Sequence, residues 1–347
     1  MKTFQQLQEK LTSIPATTAW YLADLGEAKG KQELFTKQSP QKLKVLKEHA
    51  LIESAVSSNR IEGIEINQSR VATVIFGNSL LQDRDEEEIR GYRDALKLIH
   101  ENSNNLPLTE KTIKELHYLT RAKLGDAGEY KERESNIIEK YPDGRQRIRF
   151  QTVSVTNTAE YLNKTIELWH LALKEKWVHP LITLAAFNLD FLCIHPFRDG
   201  NGRVSRLLLL LQCYQLGYEV GRYISLERLI EQNKERYYET LELSSQGWHE
   251  GKAEVWHFAN YLLYILKLAY QEFEARVNQT ASPKGSKRSL IESAIDSYSS
   301  TFTLSDLEKA CPGVSRDMIR NVLKSLRKAN KIECLGLGAR ASWQKRR

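Results

Sequence analysis

Apolar positions along the chain recur mostly at helical spacing. Over residues 42–57, Leu43, Leu46, Ala50, Ile52 and Val56 fall on one side of a predicted helix. The segment 84–101 opens on the acidic run Asp85 to Glu88, which suits a helix N-terminus and predicts a solvated helix start. Leu108-Thr109 opens another helix, with Ile113, Leu116 and Leu119 on one face. Residues 130–153 break the period. Ile137-Ile138 and Ile148 with Phe150 read as two short strands around Tyr141-Pro142-Asp143-Gly144. Pro presets φ in such a turn, Asp bonds back to the chain and Gly accepts positive φ. Helices resume near residue 157. Pro180 suits the first position of an apolar helix, Leu181 to Ile194. A second apolar helix is expected from about Arg203 to Leu216, stopped by Gly217.

More helix is predicted over 226–277, followed by a linker rich in Ser, Lys, Pro and Gly. Beyond it the pattern reads helix, helix, helix, hairpin. The helices are Leu290 to Tyr298, Thr303 to Ala310 with Thr303 as cap, and Arg316 to Asn330 capped by Ser315. Ile332 to Leu335 and Ala339 to Trp343 would flank a wing at Gly336-Leu337-Gly338. This order resembles a winged helix-turn-helix, and Arg316, Arg320, Lys324, Arg327 and Lys328 give its third helix a basic surface. The functional expectation is contact with DNA. A dimerisation or target-recruiting module is the alternative.

Composition sharpens this division. The chain has 347 residues, 41% hydrophobic and 27% charged, which excludes disordered, collagen-like and disulfide-scaffold classes. Its net charge is +7. Residues 281–347 hold 14 Lys and Arg against 6 Asp and Glu, whereas the rest holds 37 against 38. All excess positive charge therefore belongs to the final segment. Four scattered cysteines form no C-x-x-C pair and are expected to be buried thiols. The first residues, MKTFQQLQEKL, lack the apolar stretch of a signal peptide, and no apolar run approaches the ~20 residues of a membrane span. The expected location is cytoplasmic, without membrane partners.

Between the two apolar helices lies His195-Pro196-Phe197-Arg198-Asp199-Gly200-Asn201-Gly202-Arg203-Val204-Ser205-Arg206. A glycine-bearing loop that runs into a helix N-terminus can curve its N–H groups around an anion. Gly200 and Gly202 are expected to permit that curve. Arg203 and Arg206 are three apart, so both should reach one anion. Asp199 offers a hard oxygen for Mg²⁺, and His195 has the ordinary pKa, ~6.5, of a base at neutral pH. Together these describe a polyphosphate site with a hydroxyl activator.

The segment resembles the Fic-domain signature H-x-F-x-[DE]-G-N-G-R-x-x-R at every specified position. Eight near-fixed positions at roughly 5% usage give a chance match on the order of 10⁻¹⁰ per site. Residues 84–100, the helix with Leu116-His117 and the hairpin resemble the Fic core that precedes that signature. The resemblance implies a mainly α fold: a Fic helical bundle with a β-hairpin flap, plus the winged helix-turn-helix. It divides the chain into a helical region (1–80), the catalytic core with its following helices (81–276), the linker (277–288) and the basic domain (289–347).

The implied activity is transfer of AMP from ATP to a Ser, Thr or Tyr hydroxyl of a target protein or of the chain itself. His195 would take the hydroxyl proton and Asp199 would hold Mg²⁺. Gly200, Asn201 and Gly202 would hold phosphate oxygens, Arg203 the β-phosphate and Arg206 the γ-phosphate. Ile137, with Asn136 and Ile138, would form the nucleotide-side edge of the flap, and Tyr238 of the Tyr237-Tyr238 pair would lie near adenine. The flap departs from the family pattern, since Phe150-Gln151-Thr152-Val153 stands where many members have a proline pair. Ser58-Asn59-Arg60-Ile61-Glu62-Gly63 resembles the family's inhibitory pattern [ST]-x-x-x-E-[GN]. Glu62 would pair with Arg206 and occupy the γ-phosphate position, Ser58 belonging to the same motif. Removal of AMP, transfer from another nucleotide donor, and a DNA-binding regulator that uses the Fic domain as a sensor are the alternatives. A homodimer is compatible with the resemblance. Gly26 to Lys31 reads G-x-x-x-G-K, one residue short of a phosphate loop, and Gln32 stands where Ser or Thr is needed.

Overall fold

Apolar helix faces close on one another in the computed structural model of the chain. It describes every residue except 1, 11, 12, 39, 68, 69, 78, 79, 122–124, 141, 142, 279–285, 299, 300, 312, 313, 337–340 and 347. The chain begins with α1 (Lys2–Lys10), α2 (Ala16–Gln38), α3 (Pro40–Ile61) and α4 (Val71–Phe76). Next come α5 (Arg84–Asn102), α6 (Glu110–Thr120) and the hairpin β1 (Ile137–Lys140) and β2 (Gln146–Phe150). They are followed by α7 (Val155–Glu175), α8 (Pro180–Ile194), α9 (Asn201–Gln215), α10 (Leu226–Gln232), α11 (Lys234–Ser245) and α12 (Trp256–Asn278). The remainder holds α13 (Ser286–Ser297), β3 (Phe302–Thr303), α14 (Leu304–Ala310), α15 (Arg316–Lys328), β4 (Ile332–Cys334) and β5 (Ser342–Lys345).

Two helices fix the position of the motif. In α8 only Leu192, among Leu181 to Ile194, is not fully buried, and α9 is buried from Arg203 to Tyr214. A helix apolar on all sides belongs in the centre of a bundle. Each buried leucine of this pair contributes ~1.5–3 kcal/mol relative to exposure. Pro180 stands at the start of α8, where the His179 ring accepts the Leu181 N–H. Gly217 follows α9 at φ +80, and Tyr218 N–H returns to the Cys213 carbonyl, closing the helix end. Loop 195–200 is thus held between two rigid ends.

The apolar faces of α1 to α4 join the same core: Phe4, Leu25, Ile52 and Val74 pack in one cluster with α5 to α12. No break in the core marks residue 80. The Gly26–Lys31 segment lies inside α2, so it is no phosphate loop. The acidic run corrects a simple reading. Asp83 caps α5 by accepting Glu86 N–H, but Glu86 and Glu88 are buried rather than solvated. Glu86 pairs with Arg70, and Glu88 meets Arg84 and Arg203.

The expected hairpin forms, with Ile138 opposite Ile148 and a bulge between Ile137 and Ile138. Asp143 accepts Arg145 N–H at 3.0 Å, and Gly144 has φ +84. Tyr141 and Pro142 lie outside the described residues. Residues 286–346 have a separate core of Ile291, Ile295, Phe302, Leu307, Ile319, Val322, Leu323 and Ile332. Their antiparallel sheet has the order β3-β5-β4. The last strand is Ser342–Lys345, Ala339 of the expected strand lies outside the described residues, and β3 is an addition: Phe302–Thr303 pairs with Ser342–Trp343. Leu337 and Gly338 of the expected wing and most of the 277–288 linker lie outside the described residues. Cys193, Cys213 and Cys311 are buried, whereas Cys334 is only half-buried. Among the described residues no helix is long and apolar enough to cross a membrane.

Candidate functional site

The loop after α8 is shaped by its own side chains. His195 occupies the left-handed region at φ 52 and ends α8, its N–H reaching the Phe191 carbonyl. Gly200 also has positive φ, +82, at the start of α9. Asn201 is buried and braces the loop: its Oδ1 accepts Phe197 N–H at 3.0 Å and its Nδ2 donates to Phe197 O at 2.8 Å. Asn201 thus braces the loop, and it is not among the residues that line the cavity described below. Gly202 is helical rather than a nest residue. A Cβ there would lie 2.3 Å from Glu62 Oε1, so its smallness makes room for that carboxylate.

His117 of α6 supports the loop from below. Its ring stacks on Phe197 at 3.7 Å, Gly128 N–H donates to Nδ1, and Nε2 lies 3.0 Å from the Asp199 carbonyl. Because Nδ1 accepts, Nε2 carries the proton and donates. Burial holds the His117 pKa down at about 4, so this neutral form persists at pH 7. His195 is also pushed down to about 4, first by burial and then by the nearby charge of Lys131. It is therefore unprotonated at neutral pH, the state a general base needs.

The two motif arginines diverge. Arg203 is 1% exposed, pairs with Glu88 and donates to Asn59 Oδ1. It does not line the cavity, contrary to the expectation that both forks reach one anion. Residues three apart on a helix share a side, but a buried carboxylate on α5 draws the first arginine away. Arg206 turns toward α3. Its Nη2 lies 2.7 Å from Glu62 Oε1 and 2.9 Å from the Ser58 carbonyl, and its Nε donates to Ser58 Oγ at 2.8 Å. The end of α3 makes this contact possible: Gly63, at φ +85, turns the chain one residue after Glu62.

The Asp199 side chain is 57% exposed and pairs with Arg121 at 2.5 Å. Burial would raise its carboxyl, but the charges of Arg121 and Arg203 outweigh that and hold it below the usual range. One exposed carboxylate fits Mg²⁺ only with phosphate oxygens completing the shell. Among the described residues no three His, Cys, Asp or Glu side chains gather as a metal site.

A cavity of about 390 Å³ opens beside His195 and Arg206, and neither Asp199 nor Arg203 lines it. His195, Gly202, Arg206 and Glu62 line one side. Ile137, Ile138, Arg149 and Phe150 of the hairpin cover another, and Tyr237, Tyr238 and Leu241 of α11 close it. An apolar pocket with convergent cations suits a flat heterocycle joined to an anion. Arg149 and Arg147 both bind Glu242 at 2.8 Å, fastening the hairpin to α11. Sequence reasoning missed Glu88, Arg121, Lys131 and Arg149. Glu88, Arg121 and Arg149 make ion pairs to other elements and Lys131 hydrogen-bonds to Ile194 and Thr152, and spacing along the chain carries no sign of these partners.

On the basic module, Arg316, Arg320, Lys324 and Arg327 are all exposed on α15. Arg316 pairs with Glu308 at 3.2 Å and Arg320 with Asp317 at 3.4 Å.

The Fic/DOC family model matches residues 107–213. The chain is 25% identical over 218 residues to the protein adenylyltransferase Fic of Drosophila persimilis, covering 60% of this chain and 39% of that one. It is 26% identical over 204 residues to that of Nematostella vectensis, covering 55% and 42%. The matches thus span about two fifths of these relatives' length. A Fic family protein from Desulfovibrio desulfuricans superposes with TM-score 0.62 at 20% identity, over 96% of this chain and 97% of that one. A Fic domain-containing signaling protein from Bacteroides thetaiotaomicron gives 0.62 at 22%, over 75% and 100%. At these identities the two structures establish the fold.

Proposed function

Because the chain carries a Fic domain and is homologous to curated Fic protein adenylyltransferases, we propose that it is an autoinhibited protein adenylyltransferase. The supporting observation is the Glu62–Arg206 ion pair in the cavity that His195 lines. ATP would place adenine between the hairpin and Tyr238 and its phosphates along the start of α9. The target hydroxyl oxygen attacks the α-phosphorus, the bond to the β-phosphate oxygen breaks, and pyrophosphate leaves. His195 takes the hydroxyl proton on its imidazole. Asp199 would hold Mg²⁺, which supplies charge neutralisation to the phosphates when bound. Backbone N–H groups at the start of α9 orient the phosphate oxygens, and Arg206 offers the cation for the terminal phosphate. In the resting state Glu62 holds that cation, and a phosphate must displace it.

Incubation of wild type, Glu62→Gly and His195→Ala with labelled ATP and cell lysate tests this. Glu62→Gly should label proteins at least tenfold more than wild type, and His195→Ala should label none. Equal labelling by wild type and Glu62→Gly would remove the autoinhibition. A second reading is removal of AMP. Glu62 and His195 line one cavity, so the carboxylate can orient a water toward an AMP-protein bond. Release of AMP from a modified target by wild type, absent in Glu62→Gly, would establish it. Residues 289–347 we read as a winged helix-turn-helix whose α15 contacts DNA.

A further inference from the structure

We propose that Lys131 is a positioning residue for His195, gripping the carbonyls on either side of it and tying that turn to the base of the hairpin. The inference rests on the reading of His195 as general base. Lys131 is 3% exposed in the segment before β1. Its backbone N–H donates to the Pro196 carbonyl at 2.9 Å, and its Nζ donates to the Ile194 carbonyl at 3.2 Å. One residue thus holds both neighbours of the histidine.

The grip answers two local needs. The Ile194 carbonyl is one of the unsatisfied groups at the end of α8, where a cation is favoured by the helix dipole. His195 also adopts φ 52, a region that non-glycine residues occupy only when their surroundings hold them there. Lys131 supplies such a hold from outside the helix. Its ammonium also donates to Thr152 Oγ1 at 2.8 Å, and that hydroxyl donates to the Ser135 carbonyl at 2.7 Å. Ser135 precedes β1 and Thr152 follows β2. Both feet of the hairpin are therefore joined to the lysine that frames the base, Thr152 directly and Ser135 through the Thr152 hydroxyl. A shift of the hairpin that covers the cavity is transmitted to His195 through Lys131.

Charge adds to position. Among the charged groups that act on His195, the Lys131 ammonium lowers its pKa, and the carboxylates of Glu62 and Asp199 oppose it. The ammonium joins burial in keeping the imidazole unprotonated. Burial lowers the lysine itself to about 8, with Glu134 opposing.

The test uses the full chain with Glu62→Gly, alone and with Lys131→Met, Lys131→Arg or Thr152→Val. The readouts are the NMR titration of His195 and the kcat and KM for AMP transfer. Lys131→Met should raise the His195 pKa by on the order of one unit. It should also lower kcat at least tenfold while the KM for ATP stays within twofold. Lys131→Arg should restore the titration and most of kcat. If Lys131→Met does not fold, Thr152→Val replaces it and is read by kcat alone, which should fall by less while the KM for ATP stays within twofold, because the ammonium remains but loses its tie to the hairpin. An unmoved titration with unchanged kcat overturns the inference, as does a loss confined to KM. If no form transfers AMP, the adenylyltransferase reading fails, and the His195 titration still decides the role of Lys131.

Discussion

Glycine 202 illustrates how much one atom decides at this site. Its backbone is compatible with helix, so alanine there would ordinarily stabilise α9 by ~0.5–1 kcal/mol. The added Cβ, however, would fall 2.3 Å from Glu62 Oε1. Gly202→Ala should therefore lower the melting temperature of the wild type. In a Glu62→Gly background the nearest obstacle is gone and only Arg206 Nη1, 3.2 Å from the added Cβ, has to yield, so the same substitution should cost less. A thermal-melt cycle over the four forms checks this, and equal shifts in both backgrounds would refute it. Histidines give a second prediction. His117 and His195 are held near 4, below the ordinary ~6.5 of an unfolded chain. The unfolded state then binds more protons between those values, so stability is complete above about pH 6.5 and falls as pH drops toward 4. Melting temperatures across that range should decline, while NMR keeps His117 unprotonated at pH 6.

At the scale of elements, the hairpin is the part that a guest must meet, and ion pairs fasten it. Arg147 and Arg149 of β2 both end on Glu242 of α11. Glu242→Gln should loosen this attachment and speed tryptic cleavage of the hairpin severalfold with little change in melting temperature. An unchanged cleavage rate would mean that the strands are held by other contacts. The same distinction, local pattern against contact between elements, explains what the sequence revealed. Helices α3 and α6 were legible because their apolar faces repeat, α5 from its acidic start, α8 and α9 from apolar runs bounded by Pro180 and Gly217, and the hairpin because its turn carries Asp143 and Gly144. Helix α2 was not, since Trp20 is 73% exposed and Leu34 61% exposed, which blurs any apolar stripe. The motif loop was legible residue by residue, yet the separate directions of Arg203 and Arg206 were not. They depend on Glu88 and Glu62, 115 and 144 residues away. Spacing places two side chains on a helix face, but the partners across the fold decide where each fork ends.

For the whole molecule, charge and core divide the chain at the same place. The near-neutral body has one apolar cluster, and the basic final segment has another. Within that segment α15 turns Ile319, Val322, Leu323 and Leu326 into its own core. The remaining face is left to Arg316, Arg320, Lys324, Arg327 and Lys328, all exposed. A helix whose apolar side is already satisfied offers its cations to something anionic outside the module. On the proposed reading that partner is duplex DNA, whose phosphates run along it at a spacing that a row of cations can match, and binding would be driven by release of condensed counterions. The affinity should then fall steeply with salt, each lost phosphate contact reducing the log–log slope by about 0.9. The full chain should bind duplex DNA at 50 mM salt and weaken at least tenfold by 200 mM, whereas a chain ending at residue 278 should not bind. Lys324→Glu with Arg327→Glu should flatten the salt slope without altering AMP transfer by the body. Binding that survives loss of residues 279–347 would move the DNA contact to the body, whose acidic and basic residues nearly cancel. No binding by the full chain at low salt would leave the basic face of α15 to an acidic protein surface instead.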